Sequence, residues 1–359
     1  MKKTPHSLRA SRQATRIPIT SPQEIPMSWW TGFGLTLLLM VLAPLVISEY
    51  SLTLLAIYAL LALSLAFVWG IGGILCFGQA AFYGLGAYTY AIASINFGES
   101  TAALAVAVVV AGGGALVLGA MMFYGRITDV YLAVITLVVT LLLFKYVNST
   151  AGDAYVIGDA RLGGFNGIPG FASLNVPGLP QVQLGGLALY FVVAASLLAC
   201  WLLLRWICTR AFGRQLVGIR ENELRAELLG YDVRLIKTLA FGIGGAMAGL
   251  AGVFFACWAE IVTPEVFSLG VSAEVIIWVL VGGLGTLWGP MLGAVLLGAL
   301  KGYLGGQQLL NNSVVMGVLL ILVVLFLPRG VLPSFTKVLN FYRNRRRMSV
   351  TALEQSNDA

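Results

Sequence analysis

Apolar residues along this chain gather into long runs that hold almost no charge and are parted by short polar stretches. About 20 mostly apolar residues suffice for a helix to cross a bilayer. On that measure the pattern predicts spanning helices over residues 29–47, 52–69, 102–123, 131–146, 184–204, 239–258 and 314–327. Two further runs are apolar but interrupted. One, GGILCFGQAAFYGLGAYTYAIASI, starts at Gly72 and crowds Gly78, Gly84 and Gly86 around Gln79, Tyr83 and Tyr88. Glycine permits either a broken helix or a close approach of neighbours, and both readings stand for this run. A buried amide such as Gln79 calls for a polar partner or a place on a pathway. The other run, residues 273–303, splits at GGLGTLWGP into two halves, each short for a lipid-exposed crossing.

Small residues recur every four positions in two places. Gly245 and Gly249 form a GxxxG extended by Gly242 and Gly252, and Gly285, Gly289 and Gly293 repeat the spacing, so both sets are expected to pack helices closely. Glu274 opens the split run. It is either a membrane-embedded functional carboxylate or an interfacial acid favoured by a helix N-terminus.

The most polar interior stretch, GRQLVGIRENELRAELLGYDVRLIK, runs from Gly213 to Lys237. ENELRAELLGY reads as one short helix, with Glu221 and Arg225 an attractive i,i+4 pair and Glu223 and Glu227 a mildly repulsive one. Gly230 is a left-handed stop, with Asp232 beyond it. A charged helix held at a membrane surface is either a docking knob for a soluble partner or a solvated connector. Residues 148–183 are rich in Gly, Pro and Asn; this long loop is either a receptor-contacting surface or a tolerated excursion.

Charge then orients the chain. Only 10% of residues are charged and 59% are hydrophobic, whereas about a quarter of a soluble domain is charged. The formal charge is +7, but eighteen of the 22 Lys and Arg lie in three short stretches: the N-terminal tail, residues 205–237 and residues 329–347. By the positive-inside bias all three belong in the cytoplasm, and nucleic acid is not an expected partner. Residues 1–28 are then a retained cytoplasmic basic tail, 29–330 the transmembrane domain, 148–183 an external loop, 206–237 a cytoplasmic segment and 331–359 a cytoplasmic tail. With both ends inside, the number of crossings is even. The split run must enter and return, as two short crossings or as a re-entrant hairpin, for ten or eight spans. The expected fold is an all-α polytopic membrane protein of about ten spans, some short or broken.

Candidate chemistry is sparse. Cys76, Cys200, Cys208 and Cys257 lack CxxC spacing, and the single histidine, His6, lies in the N-terminal tail. That inventory excludes a zinc site and a His-based catalytic dyad. No GxxxxGK[ST] loop occurs, so the chain has no Walker site of its own. No cofactor is implied. A secondary carrier or channel would need an ion pathway or a filter motif, and neither is legible.

The stretches FGQAAFYGLGAYTYA, AFGRQLVGIRENELRAELLGYDVRLIKTLAFGIGGAMAGLAGVFF and TPEVFSLGVSAEVIIWVLVGGLGTLWGPMLGAVLLGAL resemble the permeases of branched-chain amino acid ABC importers, in particular the LivM-type subunit. Permeases of urea and short-amide importers are close relatives. The resemblance implies a ten-helix permease in the bacterial inner membrane. It also implies a second permease subunit, two cytoplasmic ATP-binding subunits and a periplasmic solute-binding protein. On it, Arg220, Glu221, Asn222, Glu223, Arg225, Glu227 and Gly230 are the residues expected to meet the ATPase. Gln79, Tyr83 and Glu274 are the candidates for the substrate pathway. Gln79 stands where the family pattern has histidine.

Overall fold

The computed structural model describes residues 40–152, 154–176 and 179–305, with the isolated positions 34, 38 and 317. About half of the first expected span, all but one residue of the last, and both tails lie outside these. Residues 1–42 form a unit of their own, and the fold below belongs to the unit that begins at Ala43. Among the described residues five helices are long and apolar enough to cross a membrane.

Helix α1 (Glu49–Leu65) runs on through a six-residue π-helical stretch, Ala66–Ile71. The chain then leaves helical geometry over residues 72–78 and resumes as α2 (Gln79–Phe97). Breaking and close packing therefore both occur in the glycine-crowded run, at different glycines. Gly73 takes φ +71° in the break, whereas Gly86 sits inside α2 against the main chain of Gly249. Gly72, Ile74, Cys76 and Gly78 of the broken stretch are buried in protein, while Gly73 is exposed. There the Phe77 amide donates to Thr136 Oγ1 at 3.2 Å. Thr136 belongs to α4 (Asp129–Ser149), which follows α3 (Ser100–Tyr124).

Helix α5 (Leu187–Thr209) leads into α6 (Ala211–Glu221) and α7 (Glu223–Leu228), and α8 (Val233–Ala259) follows. Helix α8 lies against α2, α3 and α1. Its window of highest hydropathy is 72% buried, against 22% for α4. Small residues make this packing possible. Gly245 and Gly249 face the methyl groups of Ala115 and Ala111 on α3, and Gly252 faces the Tyr83 carbonyl on α2.

The interrupted run 273–303 forms an antiparallel pair, α9 (Leu269–Gly282) and α10 (Trp288–Gly305). Gly282 meets Gly289, Gly293 meets the Trp278 carbonyl, and Glu274 pairs with Lys301. The turn at 283–287 lies beside Gly70, while Gly298 lies beside Leu55 and Tyr58. Helix α10 thus retraces α1 from its Gly70 end towards its Glu49 end, and the two halves of the split run fold back on each other. The 14 residues of α9 reach about 21 Å, less than the roughly 30 Å of a hydrocarbon core. Gly285 departs from the expected helix–helix role: it occupies the turn with φ +88°.

The 148–183 loop is built into the fold. It carries the ribbons β1 (Val156–Ile157) with β2 (Ala160–Arg161) and β4 (Asn175–Val176) with β5 (Leu179–Gln183). Between them β3 (Ile168–Pro169) pairs with β6 (Ile261–Val262) beyond α8. Asn175 Oδ1 accepts from the amide and the hydroxyl of Ser100, and Tyr90 donates to the Ala172 carbonyl at 3.0 Å.

Candidate functional site

The segment ENELRAELLGY is not one helix: Glu221 ends α6 and Glu223–Leu228 forms α7. Asn222 is extended (φ −161°, ψ 100°), ends α6 and caps α7 by accepting from the Arg225 amide at 2.8 Å. An Asn in that position competes with helix continuation by offering the backbone a side-chain acceptor. The break removes the expected Glu221–Arg225 pair, and Glu221 instead accepts from Arg220 Nη2 at 2.9 Å. Gly230 takes φ +86° and closes α7, and Asp232 caps α8 by accepting from the Leu235 amide.

Two contacts hold this double helix to the bundle. Glu223 Oε2 accepts from Lys237 Nζ at 2.6 Å, and the Lys237 ammonium also lies 5.8 Å from the Phe123 ring centre. Arg220 Nη1 donates to the Gly70 carbonyl at 2.6 Å, at the end of the π-helical stretch. Leu216 and Ile219 are buried on the same inner side of α6. Arg210 over Trp206 and Arg234 over Tyr124 add cation–aromatic contacts at the ends of the flanking helices, the residue mix of a membrane interface.

The outer face is apolar. On α7 and just after it, Leu224, Leu228 and Leu229 are 67%, 81% and 69% exposed, and Arg225 and Glu227 are exposed between them. Beside them a cleft of about 360 Å³ is lined by Arg214, Gln215, Glu221, Asn222, Arg225 and Tyr231, among others. Exposed leucines rimmed by charge are a feature of surfaces that meet another protein or a membrane.

The pathway candidates divide. Gln79 is buried; its Nε2 donates to Ser64 Oγ at 2.7 Å and to the Gly244 carbonyl at 3.3 Å, tying α2 to α1 and α8. Its Oε1 has no partner among the described residues. Tyr83 on α2, Tyr58 on α1 and Glu274 on α9 belong to helices packed together, since α9 lies against both α1 and α2. Both Glu274 oxygens accept from Lys301 Nζ, at 2.7 and 2.9 Å, and Tyr58 packs on Trp278 with ring centres 4.7 Å apart. Glu274 lies a turn and a half into α9 rather than in its first turn.

Residues 47–324 match the family model described as "Branched-chain amino acid transport system / permease component". This chain belongs to that permease family. It is 31% identical to the high-affinity branched-chain amino acid transport system permease protein LivM of Escherichia coli (strain K12), over 78% of this chain and 69% of LivM. It is 28% identical to the corresponding protein LivH of the same organism, over 78% of this chain and 93% of LivH. A shorter likeness, 30% over 36% of this chain and 38% of the relative, links it to the autoinducer 2 import system permease protein LsrC of Salmonella paratyphi B. No solved structure matches the chain.

Reading the permease from its sequence misses Lys301 and Tyr58 beside Glu274, and the three exposed leucines. It also misses the buried small stripe Ala103, Ala107, Ala111 and Ala115 on α3 that receives the α8 glycines. That stripe was findable, because its four-residue spacing is the same signal that marks Gly245 and Gly249.

Proposed function

We propose that this permease forms, with a second permease subunit, the membrane pathway of an ABC importer for branched-chain amino acids. A periplasmic binding protein delivers the substrate and two cytoplasmic ATP-binding subunits hydrolyse ATP. In this arrangement the basic stretches lie in the bacterial cytoplasm, the 148–183 loop faces the periplasm, and the α9–α10 pair counts as two short crossings of ten. Closure of the ATP-binding subunits moves α6 and α7, and the motion passes through the small-residue contacts of α8 with α2 and α3. Tyr83 and Glu274, with Tyr58 and Lys301, line the pathway; Gln79 supports it by fastening α2.

The observation that carries the docking part is the bare leucine face of α7, backed by an inner face pinned through Glu223 and Arg220. Glu223 is spent inward, so the docking contact falls to Leu224, Leu228 and Leu229, flanked by Arg225 and Glu227. The test is a Leu228→Asp/Leu229→Asp variant in the complete transporter. It should insert at the normal level, lose co-purification of the ATP-binding subunits and lose leucine uptake by roughly tenfold or more, as two central interface residues can. Retention of both properties would remove α7 as the docking element.

A further inference from the structure

Three separately interrupted parts of the chain meet at one carbonyl. The π-helical stretch after α1 ends near Gly70, whose oxygen would have no helical acceptor role once the chain turns away at Gly72 and Gly73. Arg220 of α6 supplies the missing donor, Nη1 to Gly70 O at 2.6 Å, while its Nη2 holds Glu221. Gly73 is left-handed at φ +71°, and a Cβ there would run into the Arg220 side-chain stem. A Cβ on Gly70 would lie 3.1 Å from the Gly285 nitrogen, and one on Gly72 would lie 3.6 Å from Leu216 Cδ1. The α1–α2 break, the α9–α10 turn and α6 are therefore packed on one another with no room for a side chain at Gly73 and little at Gly70.

We propose that Arg220 is a positioning residue for transport, the pin through which α6 displaces the α1–α2 break and the α9–α10 turn together. This rests on the reading that α6 and α7 answer to ATP-binding subunits. A planar fork suits the task because its two donors are fixed relative to each other. One end grips the main chain of the broken helix and the other grips the end of α6, so a tilt of α6 is carried to Gly70 rather than lost in side-chain rotation. Gly70 in turn abuts the Gly285 backbone, and a shift there moves the turn from which both α9 and α10 spring. Both breaks leave regular helix, over residues 72–78 and 283–287, and such segments move at less cost than an intact helix. Leu216 and Ile219 seat α6, but they carry no directional bond to the break.

The test uses the complete transporter carrying Arg220→Met or Arg220→Lys. Four quantities are read: co-purification of the ATP-binding subunits, basal ATP hydrolysis, stimulation of hydrolysis by the substrate-loaded binding protein, and leucine uptake. Arg220→Met should keep the first two near the unaltered level and lose stimulation and uptake by roughly tenfold, the size of a typical coupling between two sites. Arg220→Lys keeps charge and reach but not the fork, and should fall between. Stimulation and uptake close to normal in Arg220→Met overturn the proposal. So does loss of co-purification, which would place Arg220 on the docking surface, and so does failure of both variants to accumulate, which would make it a folding residue. If the ATP-binding subunits do not co-purify with the unaltered chain, the docking reading fails and the proposal falls with it.

Discussion

A methyl group added at Gly86 would enter the main chain of Gly249, whereas one added at Gly113, also helical, would meet nothing within 4 Å. Helix formation is the same request at both positions, so the difference isolates packing. Gly86→Ala should lower the permease's stability by about 1–3 kcal/mol, seen as an earlier thermal transition in detergent, while Gly113→Ala should raise it by about 0.5–1 kcal/mol. The Glu223–Lys237 pair makes a second asymmetric case. The Lys237 side chain is 11% exposed and that of Glu223 is 50% exposed, so the two halves are not equivalent. Glu223→Gln strands a buried ammonium against Phe123 and should cost roughly 1–3 kcal/mol. Lys237→Met leaves a carboxylate that water can reach and should cost about 0–1 kcal/mol. Equal losses in the two melting curves would mean that burial does not govern the pair. The same geometry adds what the charges of this stretch do not tell when read as text: Glu223, half exposed, also pairs inward with Lys237.

At the scale of elements, the α9–α10 pair is the part most open to a direct test. Its split is legible in the chain because GGLGTLWGP places glycine and proline where neither an unbroken helix nor a lipid-facing one could continue. What the pattern does not reveal is that the halves are stapled by Glu274 and Lys301, since a 27-residue separation has no helical period. The α6–α7 double helix is hidden for a different reason. Asn222 is tolerated inside a helix and favoured at a cap, and only the tertiary seat of α6 decides between the two. Exchanging the charges, Glu274→Lys with Lys301→Glu, should restore the melting temperature that either single reversal lowers. Leucine uptake should stay depressed in the exchanged protein, because a pathway reads the position of each charge and a staple does not. Full recovery of uptake would make the pair structural.

Across the whole molecule, the permease combines a buried α1–α8 pair with α3, α4 and α5 at its edge, where large apolar side chains such as Val109, Met121, Val138 and Leu142 are exposed. Such faces suit lipid and a second permease subunit. The class was readable from 59% hydrophobic residues and three basic clusters, because so few charges cannot cover a water-facing surface. The loop at 148–183 was not readable as an ordered element. Its anchors, Ser100 with Asn175 and Tyr90 with Ala172, join positions more than seventy residues apart. The account depends on the chain being a pathway driven from outside itself. The direct measurement is radiolabelled leucine uptake into proteoliposomes holding either the purified chain alone or the full set of permeases, ATP-binding subunits and binding protein. The account predicts uptake only in the full set and only with ATP, and leucine running down its gradient through the chain alone would contradict it.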